Sequence, residues 1–183
     1  YAEAGVASPK VARLAARLGC EGAEFLAGVP GTIGGAVAMN AGCYGGETWN
    51  HVVRVEVLTR DGRFEVRMPS DYAIGYRSVR RADGSPPEGI FTAVWMSFAP
   101  GDATKARARI KDLLSKRIAS QPLSLPNAGS VFRNPEGDHA ARLIEAAGLK
   151  GHAIGGARVS EMHANFIVNP GGCARAADIE ALI

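Results

Sequence analysis

A run of small residues from Phe25 to Glu47, FLAGVPGTIGGAVAMNAGCYGGE, restricts this chain more than any other stretch. Seven of the chain's 23 glycines fall between Gly28 and Gly46, beside apolar rather than polar neighbours, which is not linker composition. Glycine supplies positive φ and lets another group approach the backbone. Pro30-Gly31-Thr32-Ile33-Gly34-Gly35 therefore predicts a tight turn with outward amide N–H groups. Successive N–H groups facing one concavity hold an anion without help from lysine, and Thr32 adds a hydroxyl donor. A tightly packed turn with no ligand fits the same glycines. The spacing is neither GxGxxG nor GxxxxGK followed by Ser or Thr, and no lysine lies between Lys10 and Lys105. Both facts argue against a Rossmann or P-loop site.

With 183 residues and 46% hydrophobic content, the chain can bury a core as one domain or as two small ones. The net charge of +3 suits anionic ligands but brings no basic cluster of the kind a nucleic-acid binder carries. Asp83 follows Arg80-Arg81, and the cations from Lys105 to Arg117 alternate with apolar residues, as solvated surface charge does. Cys20, Cys43 and Cys173 are odd in number and widely spaced, with no CxxC pair and no histidine spacing that suggests zinc. A reduced, cytoplasmic protein without a metal site is expected. No signal peptide is expected, and no apolar run is long enough to cross a membrane. The chain starts at Tyr1 without Met, which points to an absent N-terminal region.

In chain order, Ser8-Pro9 predicts the N-cap and first position of a helix with Val11, Leu14, Ala15 and Leu18 on one face, ended by Gly19. The period then changes from helical to strand-like. Val53, Val55 and Val57 alternate with Arg54 and Glu56, and Phe64, Val66 and Met68 continue the alternation beyond Asp61-Gly62, predicting a β-hairpin. Ser70 to Tyr76 is predicted as polar loop or short helix, Ala82 to Gly89 as surface loop, and Phe91 to Ala99 as strand. A boundary is expected at Pro100-Gly101-Asp102, separating 1–100 from 101–183. Asp102 then caps a helix with Ala106, Ile110, Leu113 and Leu114 inward, ending near Arg117. Gln121 to Pro135 is predicted as loop, Asp138 to Ala147 as a helix with Leu143, Ile144 and Ala147 inward, and His163 to Asn169 as a buried strand. A last helix starts near Ala174.

Two side chains invite chemistry. A guanidinium at Arg77, between Gly75 and Ser78, is costly to bury unless it meets an anion, and on these residues alone a surface arginine is the better reading. Ser130 lies in AGSVFRNP with no GxSxG elbow and no Ser-His-Asp arrangement, so a hydrolase nucleophile is rejected.

GVPGTIGGAVAMNAGCYGGE resembles the flavin-binding segment of the UDP-N-acetylenolpyruvoylglucosamine reductases, flavoenzymes of bacterial peptidoglycan synthesis. The resemblance continues through Tyr76-Arg77-Ser78, Gln121-Pro122-Leu123, the block from Asn127 to Pro135 (NAGSVFRNP) and the block from Gly155 to Asn169 (GGARVSEMHANFIVN). Five blocks in the same order are far more specific than any one, and they span nearly the whole chain. The implied fold is α+β: part of a two-lobed FAD-binding domain of the vanillyl-alcohol-oxidase type over 1–100, then a smaller α/β substrate-binding domain over 101–183. The resemblance is to the compact branch of the family and implies a chain truncated at both ends. The missing parts are a first flavin loop and a C-terminal glutamate.

The same resemblance implies that Pro30, Gly31, Thr32, Gly34, Gly35, Asn40, Gly42 and Tyr44 bind FAD. It places Tyr76, Arg77, Arg117 and Asn134 at the substrate, with Arg77 against the enolpyruvyl carboxylate, where a planar fork pairs well with two oxygens. Ser130 becomes the proton donor. The implied reaction is NADPH-dependent, FAD-mediated reduction of the enolpyruvyl ether of UDP-N-acetylglucosamine to UDP-N-acetylmuramate. Its partners are then a UDP-sugar and NADPH, with no nucleic acid, no membrane and no obligate protein partner. Lys150, Arg158 and His163 carry less support, and Glu161 is given no role. Another flavin oxidase on the same domain type, or a non-catalytic nucleotide-binding module, remains compatible with the glycine loop.

Overall fold

Proline in the first turn of a helix costs no hydrogen bond, because that N–H has no partner in the helix. Pro9 takes this position in α1 (Ser8–Arg17), which follows a short strand, β1 (Ala2–Glu3). The computed structural model describes Tyr1–Ile183 and divides into two units, Tyr1–Ser115 and Lys116–Ile183. Ser8 is not the N-cap of α1; Ala7 is, and Ser8 is the first helical residue, fully buried, its N–H donating to Gly31 O at 3.1 Å. The helix buries Ala12, Ala15 and Ala16, whereas Leu14 and Leu18 are 45% and 71% exposed. Alanines let the helix approach the following segment closely, so the small face wins the interior over the larger leucines. Gly19, at φ +70°, ends it as expected.

In the first unit the chain continues through β2 (Cys20–Glu21), a 3-10 turn that buries Phe25 and Leu26, and α2 (Ile33–Ala38). A small hairpin follows, β3 (Gly42–Cys43) with β4 (Gly46–Glu47), then β5 (Val52–Leu58) and β6 (Phe64–Arg67) around Gly62 at φ +81°. The next elements are β7 (Tyr72–Gly75), β8 (Ser78–Arg81), β9 (Ile90–Met96) and β10 (Ala99–Pro100). The principal sheet runs β1-β9-β5-β6, all antiparallel, and packs Val55, Val57 and Val94 against Leu26, Ile33 and Val37, every one at most 1% exposed. Full burial of side chains of this size stabilises by about 1.5–3 kcal/mol each.

The predicted hairpin at 53–68 is present, but its second strand faces the other way. Val55 pairs with Arg67 and Val57 with Glu65, and residues directly opposite share a face. Phe64, Val66 and Met68 therefore point away from the core, at 65%, 56% and 47% exposed, and Arg67 is the buried residue, held by Glu65 at 2.8 Å. The stretch at 70–76, expected as polar loop or short helix, begins in a 3-10 turn over Pro69–Asp71 and then forms β7, which pairs with β8 in a hairpin that has Tyr76-Arg77 as its two-residue turn.

Asp102 caps α3 (Ala103–Ser120) as predicted, its Oδ1 accepting the N–H groups of Thr104 and Lys105 at 2.7 and 2.8 Å. Ala106, Ile110 and Leu113 form its buried stripe, and the helix runs three residues beyond Arg117. The division between units falls inside α3, whereas the sequence placed a boundary at 100–102.

The second unit contains β11 (Asn127–Ser130), α4 (Ala140–Ala146), β12 (Ala153–Ile154), β13 (Ala157–Val159), β14 (Phe166–Val168) and α5 (Ala176–Glu180). Its sheet is antiparallel in the order β11-β14-β13-β12. The stretch predicted as continuous loop from 121 to 135 thus includes a strand, bulged between Asn127 and Ser130. Leu143, expected inward on α4, is 43% exposed, and Ala140 is the buried residue. Phe166 and Val168 form the unit's interior with Ala157, Val159 and Ala164, in accord with the buried strand predicted there.

Candidate functional site

The glycines of the 28–46 segment serve two purposes that the sequence could not separate. At Gly28 a Cβ would lie 2.8 Å from Cys43 Sγ, and at Gly46 it would lie 2.6 Å from the Phe25 ring. These positions are glycine because the chain folds back tightly on itself. At Gly31 and Gly35 a Cβ would meet nothing within 4 Å, and both residues are exposed. Their backbone is open to approach from outside.

The amides of the same turn divide similarly. Ile33 N–H donates to Val6 O at 2.8 Å and Gly34 N–H to Ala4 O at 2.9 Å, so they are spent on anchoring the turn. Gly31, Thr32 and Gly35 donate to no protein acceptor, and all three residues are exposed, as is Pro30. A turn with unspent N–H groups, no nearby carboxylate partner and no Cβ in the way fits the diphosphate of a dinucleotide such as FAD.

Asn40 stands at the far end of the segment, at φ +42° and 1% exposed. Its Nδ2 donates to Glu47 Oε2 at 2.9 Å and to Gly75 O at 3.1 Å, and its Oδ1 accepts Trp49 N–H at 3.1 Å. Both donors of the carboxamide are thereby used inside the protein. Tyr44, in contrast, is 40% exposed at φ +54°. Gly42 is closed in by Gly46 O and the Glu47 side chain, and contributes its carbonyl rather than open space.

That carbonyl meets Arg77. The guanidinium donates from Nη2 to Gly42 O at 2.7 Å and from Nη1 to Asn40 O at 3.2 Å, and its Cζ lies 5.0 Å from the Tyr76 ring centre. The turn residue Arg77 has φ +52°, a conformation that bulky residues seldom adopt. The structure thus brings Pro30, Gly31, Thr32, Gly34, Gly35, Asn40, Gly42, Tyr44, Tyr76 and Arg77 onto one fold unit. Three of the five guanidinium donors remain for an anion. Glu47, to which the sequence assigned no role, sits behind this arrangement. Only its place at the end of the glycine-rich run could have marked it.

In the second unit, Ser130 ends β11 opposite Phe166 and is exposed along a groove of about 460 Å³ that Asn127, Ile167 and Asn169 also line. The next residues are clamped by Asn165, 4% exposed, whose Nδ2 donates to Phe132 O at 2.8 Å and whose Oδ1 accepts Phe132 N–H at 2.9 Å. Asn165 was not singled out by the sequence, since one asparagine in an apolar strand carries no signal of its partner. Asn134 accepts Ala140 N–H at 3.1 Å through Oδ1, which caps α4 and leaves the amide nitrogen outward. Arg117, in the last turn of α3, donates from Nε to Oε1 of Gln121, just past the helix end, at 3.0 Å. His163 is half-buried, its Nδ1 accepting Asn165 N–H at 3.3 Å, and burial pushes its pKa below the ordinary histidine value.

A groove of about 590 Å³ lies elsewhere: Lys10, Arg13, Arg17 and Arg107 line it over Ala16 and Ile110, and no residue of the glycine turn does. No group of histidine, cysteine or acidic residues could hold a metal, and no helix is long and apolar enough to cross a membrane.

Comparisons with known proteins bear on both units. Residues 121–183 match the family model described as "UDP-N-acetylenolpyruvoylglucosamine reductase, C-terminal domain", and residues 1–66 match "FAD binding domain". The chain is 61% identical, over its whole length, to a UDP-N-acetylenolpyruvoylglucosamine reductase of Thiobacillus denitrificans, and 57% identical to one of Alkalilimnicola ehrlichii. It spans only 56% and 60% of the length of those relatives. Among solved structures, the UDP-N-acetylenolpyruvylglucosamine reductase (MurB) of Thermus caldophilus matches with a TM-score of 0.84 and 40% identity, over 95% of this chain and 62% of that one.

Proposed function

The chain belongs to the UDP-N-acetylenolpyruvoylglucosamine reductase family, and from that premise we propose that it is the part of such an enzyme that holds FAD and the enolpyruvyl substrate. The observation that carries the reading is Arg77. Its guanidinium is fixed by two backbone carbonyls of the glycine segment, with three donors left over, in the same unit as a turn that leaves the Gly31, Thr32 and Gly35 N–H groups unspent. On this reading residues 1–100 form the second lobe of the FAD-binding domain and residues 101–183 the substrate-binding domain; the matches of 1–66 and 121–183 to family models support the two ends of that division.

Gly31, Thr32 and Gly35 hold the anionic part of FAD through backbone N–H groups, with Pro30 and Gly34 setting the turn and Tyr44 at its rim. FAD, when bound, supplies the hydride chemistry that no side chain of this protein can provide, with NADPH as the source of electrons. Arg77, with Tyr76 beside it, receives the substrate carboxylate. It stabilises the negative charge that grows there and on C2 once a hydride has added to C3. Ser130 gives its hydroxyl proton to C2, completing the new C–H bond, and recovers a proton from solvent. Asn134, with its carbonyl engaged at α4, offers its amide N–H groups to the sugar, and Arg117 its remaining donors to the diphosphate. The product is UDP-N-acetylmuramate, a peptidoglycan precursor, made in the cytoplasm.

Ser130→Ala tests the reading, because a methyl fills nearly the space of the hydroxyl. In the flavin-loaded protein that carries this chain, FAD content and flavin reduction by NADPH are expected to stay at the parent level. Reoxidation by substrate with product formation should fall by about 10²–10³. Undiminished product formation in stopped flow removes Ser130 from the reaction.

A further inference from the structure

We propose that Asn40 and Glu47 are positioning residues that hold Arg77 where it meets the substrate carboxylate, rather than contacts for the cofactor. The inference rests on the role given to Arg77 above and extends it one layer inward. Asn40 grips the Tyr76-Arg77 turn on two sides. Its Nδ2 donates to Gly75 O at the base of the hairpin at 3.1 Å, while its own backbone oxygen accepts from Arg77 Nη1 at 3.2 Å. The orientation of the carboxamide is settled by its neighbours: two acceptors, Glu47 Oε2 and Gly75 O, face Nδ2, and one donor, Trp49 N–H, faces Oδ1.

Few side chains satisfy these demands. The position has φ +42°, which asparagine tolerates better than most residues, and it requires a short group that both donates twice and accepts. Aspartate fits the backbone but sets a carboxylate against the oxygens of Glu47 and Gly75. Glu47 completes the chain of contacts, since without its carboxylate one Nδ2 hydrogen has no acceptor in a nearly dry location. With the side chain 1% exposed and both donors engaged, Asn40 has nothing to offer a flavin directly. Its effect on chemistry passes through the guanidinium, whose second anchor, Gly42 O, belongs to the same short loop.

The test is a double-mutant cycle in the flavin-loaded protein that carries this chain. Asn40→Gly removes the carboxamide while permitting the positive φ. Glu47→Ala, at a half-buried site, removes the acceptor and serves if the glycine variant fails to fold. Each is expected to slow reoxidation of reduced flavin by substrate about 10–100-fold, with flavin content and reduction by NADPH preserved. Glu47→Gln retains an acceptor oxygen and is expected to remain within about twofold of the parent. In an Arg77→Ala background neither change should cost anything further, because the group they position is gone. Additive losses overturn the proposal. The Arg77 Nε–H resonance separates its failure from that of the reading beneath it. A lowered rate with that resonance unmoved overturns positioning alone. A moved resonance with an unchanged rate overturns the role of Arg77 in the reaction, and positioning with it.

Discussion

Gly34 and Gly35 are adjacent, yet the structure constrains them in opposite ways. A Cβ on Gly34 would lie 2.8 Å from Ala4 Cβ and 3.3 Å from Ala4 O, whereas on Gly35 it would meet open space. Gly34→Ala is therefore expected to destabilise the first unit by about 1–3 kcal/mol, read by chemical denaturation, since backbone has to shift to admit the methyl. Gly35→Val should leave the unfolding midpoint near that of the parent and lower FAD occupancy, measured from the bound flavin's absorbance. Full occupancy in that variant rules out approach of the cofactor at this turn. Arg77 obeys a similar logic of shape over charge. Lysine keeps the cation but cannot span Asn40 O and Gly42 O with one ammonium while presenting a fork. Arg77→Lys is expected to reduce turnover of substrate by about 10² or more and to spare flavin reduction, in a stopped-flow comparison of the two half-reactions. An equal loss in both points to a structural arginine instead.

Among the elements, the short helix α5 is held by one carboxylate. Asp178, 5% exposed, accepts the N–H groups of Arg175 and Gly156 at 3.0 and 3.3 Å and pairs with the Arg175 guanidinium at 3.0 Å. The Arg175 backbone N–H first, then its guanidinium and the Gly156 N–H, hold the carboxyl below its usual range. A depressed carboxylate pKa contributes stability above the unfolded value, about 3.9, and loses it as pH falls through the lower folded value. Asp178→Asn should therefore lower the melting temperature at pH 6, with the gap to the parent closing below about pH 4. A gap that stays constant with pH denies the carboxylate this role. His163 acts in a higher window: its folded pKa lies below about 6.5, so protonation from there downward opposes the fold and removes the Nδ1 acceptor used by Asn165. Elements also differ in how visible they were. The β5–β6 hairpin announced itself through Asp61-Gly62 and alternating valines. The β7–β8 hairpin did not, because its turn is Tyr76-Arg77, with neither glycine nor asparagine at the positive φ. β11 was hidden by the prolines around it and by its bulge.

For the whole molecule, the reading of the first unit as a flavin lobe makes a thermodynamic demand. Any ligand that binds only the folded state stabilises it, by about 2.7 kcal/mol at 100 times its dissociation constant. FAD should accordingly raise the unfolding transition of the protein that carries this chain and shield the 30–45 segment from proteolysis. Calorimetry with and without FAD checks this, and an unchanged transition contradicts the assignment. Local signals in the sequence were sufficient for much of the architecture. Asp102 capping α3, Gly19 ending α1, the valines of β5 and the apolar strand around Phe166 each act through their own backbone or immediate neighbours, and each was legible. So was the family, because its blocks are contiguous runs of residues. What only the tertiary structure decided are the relations between distant positions. Register across β5 and β6 buried Arg67 and turned Phe64 and Val66 outward, against the apparent alternation. Close approach to Ala4 and Phe25 decided that Gly34 and Gly46 are packing glycines, while Gly31 and Gly35 are open. Asn40 and Arg77 stand 37 residues apart in the chain and share a hydrogen bond. Composition and period describe one segment at a time, whereas a hydrogen bond or a van der Waals limit between two segments exists only once both have been folded into place.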